Sequence, residues 1–191
     1  MSRIVPLDPP YAPEIQAAFD AIMPPGVPPL VLFRTLAVNV RIYQRFRAGG
    51  LLDRGLLTLR QREIVIDRTC ALNRCEYEWG VHIAVFAAKA KLTPRQIEAT
   101  VIGGEAGCSE DEAVLLAACD ELDTTRTLSD ALWARLTQHF TPEQILEIIA
   151  LVGFYRTVSL HANALALPLE PTAARFPQAA VEISYGAPAS N

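Results

Sequence analysis

The chain has 191 residues, 51% of them apolar, enough for one domain, or two very short ones, with ample material for a core, so neither disorder nor disulfide staples are needed to explain it. Its net charge is −4 and its 17 Lys and Arg residues form no basic stripe, which argues against nucleic acid as the main partner. The opening MSRIVPLDPPY lacks the layout of a signal peptide, and no run of about 18 apolar residues suggests a membrane span, so a cytoplasmic protein with no membrane partner is expected.

Taken in chain order, Pro-rich loops at 1–12 and 23–29 flank a short helix at 13–22. LVLFRTLAVNVRIYQRFRAGG has helical apolar spacing and a glycine stop, predicting one helix over 30–48. Four Ser/Thr-x-x-Glu/Gln capping boxes follow, Thr58 with Gln61, Thr93 with Gln96, Ser109 with Glu112 and Thr141 with Gln144, and each opens a helix. Pro94 and Pro142 take first helical positions, where the missing N–H is not required. Helices are thus predicted over 58–73, 75–90, 93–102, 109–124, 129–139 and 141–161. No period-two alternation asks for a strand. Beyond residue 167, Pro168, Pro171 and Pro177 exclude a long helix, and an extended tail is expected to lie on its own or a neighbouring subunit through Phe176, Val181, Ile183 and Tyr185. The organisation is an N-terminal loop and short helix (1–29), a helical domain (30–167) and an extended, Pro-rich C-terminal tail (168–191).

The chemistry concentrates between Leu57 and Phe86. If the helices before and after Asn73 and Arg74 run antiparallel, Glu63 and His82 both lie about 12–15 Å from the turn and face each other. Cys75, Glu78 and His82 share one face of the second helix by three- and four-residue spacing. A thiol, two carboxylates and an imidazole then line one seam. Helix-start N–H groups favour a Cys75 thiolate, whereas Glu76 and Glu78 oppose it. Two carboxylates raise the pKa of His82 and fix its tautomer. A buried Glu63 requires a partner: His82, or else Arg60, Arg62 or Arg68. Glu78 has Arg74 as its alternative. Cys70, Cys108 and Cys119 read as packing residues, and without a CxxC pair reduced thiols are expected. The ligand types at Glu63, Cys75, Glu78 and His82 are compatible with a metal, but one histidine in that spacing is a weak signature, so no metal and no other cofactor is expected. Tyr77 and Trp79 are candidates to wall a substrate pocket. Tyr155, Arg156 and His161, on a later apolar helix, are candidates to anchor a substrate carboxylate.

The run Glu63, Cys75, Glu78, His82 resembles the carboxymuconolactone decarboxylase and AhpD-like alkylhydroperoxidase family. The family pattern is Glu, eleven residues, Cys, two residues, a second Cys in the peroxidase branch, three residues, His. DEAVLLAACDELDTTRTLSDALWARL and TPEQILEIIALVGFYRTVSLHANAL look like the rest of such a domain, so the resemblance covers about residues 30 to 167. It implies an all-α, AhpD-like bundle, here of seven to eight helices, and a homo-oligomer, commonly a dimer, trimer or hexamer. It places the site in a helical crevice near a subunit interface. In the peroxidase branch the two cysteines form a redox disulfide and the second is the attacking thiol. Here that second position is Glu78, so the dithiol mechanism cannot operate as written.

Three functions follow as expectations. The first is a cofactor-free decarboxylase- or isomerase-type lyase acting on a small carboxylated or lactone-like metabolite. His82 and one carboxylate form its acid/base pair while the other carboxylate orients His82. The second is a single-cysteine alkylhydroperoxidase with peroxiredoxin activity through Cys75, its sulfenic acid resolved by Cys70 or an external thiol. The third is a non-catalytic helical oligomer that binds a small ligand or a protein.

Overall fold

A computed structural model of the chain describes residues 2–104 and 107–185. Among these residues it is all helix: α1 (Pro13–Asp20), α2 (Val31–Leu36), α3 (Val40–Gly49), α4 (Leu59–Leu72), α5 (Glu76–Phe86), α6 (Pro94–Ile102), α7 (Glu110–Thr124), α8 (Asp130–His139), α9 (Pro142–Ala164) and α10 (Gln178–Tyr185). Thr58, Thr93 and Thr141 accept the N–H of Gln61, Gln96 and Gln144, whose side chains accept the cap N–H in return, and Glu112 accepts the N–H of Ser109. These reciprocal bonds satisfy donors that a bare helix start leaves open.

The helix predicted over 30–48 is two helices. The chain breaks after Leu36, and the Asn39 side chain accepts the Ile42 N–H to open a new helix. Asparagine competes with the helix for backbone bonds and so favours a start over a midpoint. The tail is not wholly extended either, since Gln178–Tyr185 forms a short helix directly after Pro177. Its last residues, 186–191, lie outside the described residues.

α4 is the hub of the bundle, packed against α5, α6, α7 and α9. Its two outer arginines pin it. Arg60 bonds Glu112 on α7 and the carbonyls of Ala90 and Lys91, while Arg68 reaches Asp120 on α7 (2.7 Å) and the carbonyls of Thr100 and Val101 on α6. Gly103 makes the second arrangement possible. Its φ is +79°, and a Cβ there would stand 2.8 Å from the Arg68 guanidinium. α9 is long and apolar enough, by length and composition alone, to cross a membrane, a test that the core helix of a globular bundle also passes. It packs here against α4, α5 and α7, burying Ile145, Ile148, Leu151, Val152, Tyr155, Val158, Ser159 and Ala162.

The tail clamps α5 from behind. Ala174 donates its N–H to the Gly80 carbonyl (2.9 Å), Phe176 donates to Glu76 (3.0 Å), and the Phe176 ring lies 4.9 Å from that of Trp79. Tyr185 bonds the Ala71 carbonyl at the end of α4.

Candidate functional site

The α4–α5 hairpin creates the site. Arg74 takes the left-handed conformation at φ 51°, its N–H bonds the Ala71 carbonyl (2.8 Å), and the Cys75 N–H bonds the Cys70 carbonyl (2.9 Å). This paired closure ends α4 and brings the residue after the turn onto the last turn of the helix. Cys75 is therefore the N-cap of α5 and neighbours Cys70. Arg74 adopts a conformation usual for glycine, and its guanidinium lies 5.0 Å from the Tyr185 ring centre.

α5 then runs back along α4 and delivers His82 to Glu63. His82 Nδ1 lies 2.7 Å from Glu63 Oε2, and Nε2 lies 3.5 Å from Glu78 Oε1. Glu63 Oε1 accepts two bonds from the Arg62 guanidinium, at 3.0 and 2.8 Å. The alternative partner and the functional partner of Glu63 thus both bind it, one on each oxygen. Burial alone would drive the proton off His82. Hydrogen bonds to Glu63 and Glu78, and the charges of both, outweigh burial and raise its pKa to about 10. His82 is therefore an imidazolium at neutral pH, and its Nε2–H is aimed at Glu78. Glu78 keeps its second oxygen, Oε2, without a partner.

Cys75 is closed from solvent, and burial pushes its thiol up to about 11. Backbone N–H groups of Glu78 and Tyr77 favour the thiolate, but the Glu78 carboxylate opposes it, and desolvation wins. The Cys70 thiol is also raised well above its usual range, first by burial and then by the neighbouring Cys75, Glu78 and Asp67. The Ser159 hydroxyl on α9 faces both thiols without a full hydrogen bond to either.

Of the other sequence-predicted residues, Tyr155 joins the seam, with its ring edge-on to His82 at 5.1 Å. Tyr77 and Trp79 do not. The Tyr77 hydroxyl accepts the Leu32 N–H (3.0 Å) and bonds Glu170 of the tail, and the Trp79 indole donates to Thr100 on α6 (3.0 Å). Arg156 pairs with Asp123 on α7 at 3.1 Å, and His161 bonds the Thr157 carbonyl while facing Phe46. Helical rotation turns both away from the face that Tyr155 presents to His82, so a shared helix does not make a shared site.

Sequence reasoning missed Asp67. It lies one turn beyond Glu63 on α4, is 1% exposed, and has no partner on either carboxyl oxygen. Burial raises its carboxyl well above the usual range, with the His82 charge opposing and the Glu63 charge adding. Oxygens of Glu63 and Asp67 and a nitrogen of His82 lie within 4.8 Å of one another. By residue type such a set suits a cation, but Glu63 and His82 already bond each other and His82 carries its own positive charge. The four-residue interval from Glu63 to Asp67 was the available signal, masked by the apolar residues between them.

Residues 39–121 match the model of the carboxymuconolactone decarboxylase family. No curated protein matches the chain significantly. Among solved structures, an uncharacterized peroxidase-related protein from Silicibacter sp. TM1040 is 19% identical with a TM-score of 0.78, over 89% of this chain and 92% of that one. An uncharacterized peroxidase-related protein with an alkylhydroperoxidase AhpD core, from Ralstonia eutropha JMP134, is 20% identical with a TM-score of 0.78, over 89% and 93%. The debrominase Bmp8, solved as a cysteine-to-alanine variant with 2,3,4-tribromopyrrole, is 15% identical with a TM-score of 0.69, over 94% and 95%. At these identities the likeness concerns the fold. Through the helices that build the Glu63–His82 seam, the chain matches the carboxymuconolactone decarboxylase family, in an all-α bundle of the AhpD kind.

Proposed function

We propose that the protein is a cofactor-free acid–base enzyme of the carboxymuconolactone decarboxylase type, acting on a small carboxylated or lactone-type metabolite by decarboxylation or isomerisation. The observation that carries this reading is His82 held between two carboxylates of unequal standing. Glu63, bonded at 2.7 Å and braced by Arg62, orients the ring, while Glu78, with one free oxygen, is the working carboxylate. In isomerisation Glu78 takes a proton from the carbon acid and His82 returns one from Nε2; in decarboxylation the bond to the carboxylate breaks, CO2 leaves, and His82 gives its Nε2 proton to the carbon left behind. Groups of opposite protonation side by side are what proton transfer next to a carbonyl requires. All four of Glu63, Cys75, Glu78 and His82 are buried, Glu78 the least closed at 8%, so this reading places substrate entry on its side.

A second reading, a hydroperoxidase acting through Cys75, is favoured by the peroxidase-related proteins that share the fold. Against it stand the glutamate at position 78 and a thiol pushed up to about 11, since the thiolate is the nucleophile. The two part in one experiment. Reduced wild type, Cys75→Ser and His82→Gln are assayed for hydroperoxide consumption with sulfenic acid trapping, and for turnover of carboxylated lactones and 2-keto acids. The acid–base reading expects turnover that drops by about 10²–10⁴ in His82→Gln and survives in Cys75→Ser. Peroxide turnover lost in Cys75→Ser would overturn it. A protein silent in both assays would point to the non-catalytic ligand-binding oligomer.

We also propose that the protein is a cytoplasmic homo-oligomer. Leu146, Ile149 and Leu160 stand exposed on α9, more apolar surface on one helix than a core helix needs to leave in water.

A further inference from the structure

Three buried polar side chains of the seam carry oxygens without partners: Glu78 Oε2, Ser159 Oγ and both oxygens of Asp67. Asp67 is the extreme case, because an ionised carboxylate there would have neither a hydrogen bond nor water to hold its charge. It stands within 4.8 Å of the Glu63–His82 pair. The charged and titratable groups that act with it are Glu63 and Cys70 on its own helix and His82 on α5. α9 faces the seam with Tyr155, and α7 brings Cys119 to the Val65 carbonyl and the Thr69 hydroxyl. The one cation whose charge acts on it, His82, is already bonded to Glu63 and close to Glu78, so Asp67 is left without a counter-charge of its own.

We propose that Asp67 is an un-ionised carboxylic acid at neutral pH, a positioning residue that holds its own proton beside the Glu63–His82 pair and thereby sets how tightly His82 holds its proton. This rests on the acid–base reading of the seam. With Asp67 neutral, His82 feels the charges of Glu63 and Glu78 only. A third carboxylate at this range would hold the imidazolium proton still more firmly and weaken His82 as an acid. The coupling is reciprocal, so the His82 charge must also make Asp67 easier to ionise.

Infrared difference spectroscopy of the full-length protein across pH, with carbonyl ¹³C NMR of aspartate-labelled wild type as a reading that needs no variant, tests this directly. At pH 7 wild type is expected to show the carbonyl stretch of one buried un-ionised carboxyl, absent from Asp67→Asn. The pH at which that band disappears is expected to rise by about one pH unit or more in His82→Gln, a change that a merely structural carboxyl would not show. The His82 titration, followed by NMR, is expected to move by less than about half a pH unit in Asp67→Asn, because asparagine mimics the neutral acid. Absence of the band at pH 7 would overturn the proposal, as would a fall of more than about one pH unit in the His82 pKa in Asp67→Asn. Binding of one equivalent of Zn²⁺ or Mn²⁺ by wild type but not by Asp67→Asn would also overturn it, assigning the cluster to a cation. These spectra are independent of turnover: a protein inactive on every lactone and keto acid refutes the acid–base reading and leaves the state of Asp67 as measured.

Discussion

At the scale of single residues, the central fact is that His82 is charged where burial alone would neutralise it. Its pKa is raised to about 10 against an ordinary 6.5. The folded protein therefore binds this proton more tightly than the unfolded chain does. The resulting stability is fully present below about pH 6.5 and is lost as pH rises through about 10, falling by about 1.4 kcal/mol per pH unit across that window. Urea denaturation from pH 6 to 10 is expected to show this decline in wild type and a flatter profile in His82→Gln; equal slopes in both would refute it. Glu63→Gln leaves the Arg62 guanidinium without its counter-charge and removes the Glu63 charge that holds the His82 proton. It is expected to cost about 3 kcal/mol at pH 7 by the same measurement. The pairing of Glu63 with His82 was legible from counting residues on either side of Asn73 and Arg74, because two helices joined by a tight turn leave their ends little choice of register. Asp67 was not, because on a helix buried on nearly every face, sequence does not say which carboxyl meets water and which meets nothing. Tyr77 and Trp79 illustrate the opposite error. Nearness in sequence to Cys75 and Glu78 suggested a pocket wall, whereas the helical rotation between them points these aromatics at α2, α6 and the tail.

At the scale of elements, the hairpin is held by features that local chemistry specifies and by one that it does not. The caps at Thr58, Thr93 and Thr141 are read from sequence because their bonds span three residues. Thr58→Ala is expected to cost about 1 kcal/mol in thermal or urea unfolding without moving the His82 titration, since it frays the start of α4 a turn or more from Glu63. The tail clamp on α5 could not be read in this way. A Cβ on Gly80 would lie 2.2 Å from the Ala174 carbonyl oxygen, so the tail can pair with α5 only if that position is bare. Gly80→Ala is expected to lift the tail, costing about 1–3 kcal/mol despite the better helix propensity of alanine, and to raise the rate of proteolytic cleavage after Arg175. Unchanged stability and unchanged cleavage would show that the clamp contributes nothing. The break between α2 and α3 belongs to the same scale. The apolar spacing across 30–48 continues through it, and only the Asn39 side chain, an N-cap in an otherwise helical pattern, marked the place.

At the scale of the whole molecule, α9 buries one face against the hub helix α4 and leaves large apolar residues exposed on the other. Leu146 is 68% and Leu160 59% exposed, whereas Ile148, Leu151 and Tyr155 of the same helix are buried. Light scattering coupled to size exclusion is expected to give a mass above that of one chain, and Leu146→Asp with Leu160→Asp is expected to shift it toward the monomer with the far-ultraviolet helix signal intact. A monomeric wild type would reject the oligomer. The sequence by itself determined what depends on short intervals: the all-helical class, the capped helix starts, the α4–α5 hairpin and the Glu63, Cys75, Glu78, His82 set on facing surfaces. These follow because capping bonds and helical periodicity act over three or four residues and a tight turn transmits register. Only the tertiary structure decided what depends on contacts between distant segments. These are the burial that raises the Cys75 thiol and leaves Asp67 unpartnered, the Arg62 brace on Glu63, and the return of residues 170–185 onto α4 and α5. The reason is that desolvation and long-range pairing are properties of the packed interior, set by which helices surround a side chain and not by the residues beside it in the chain.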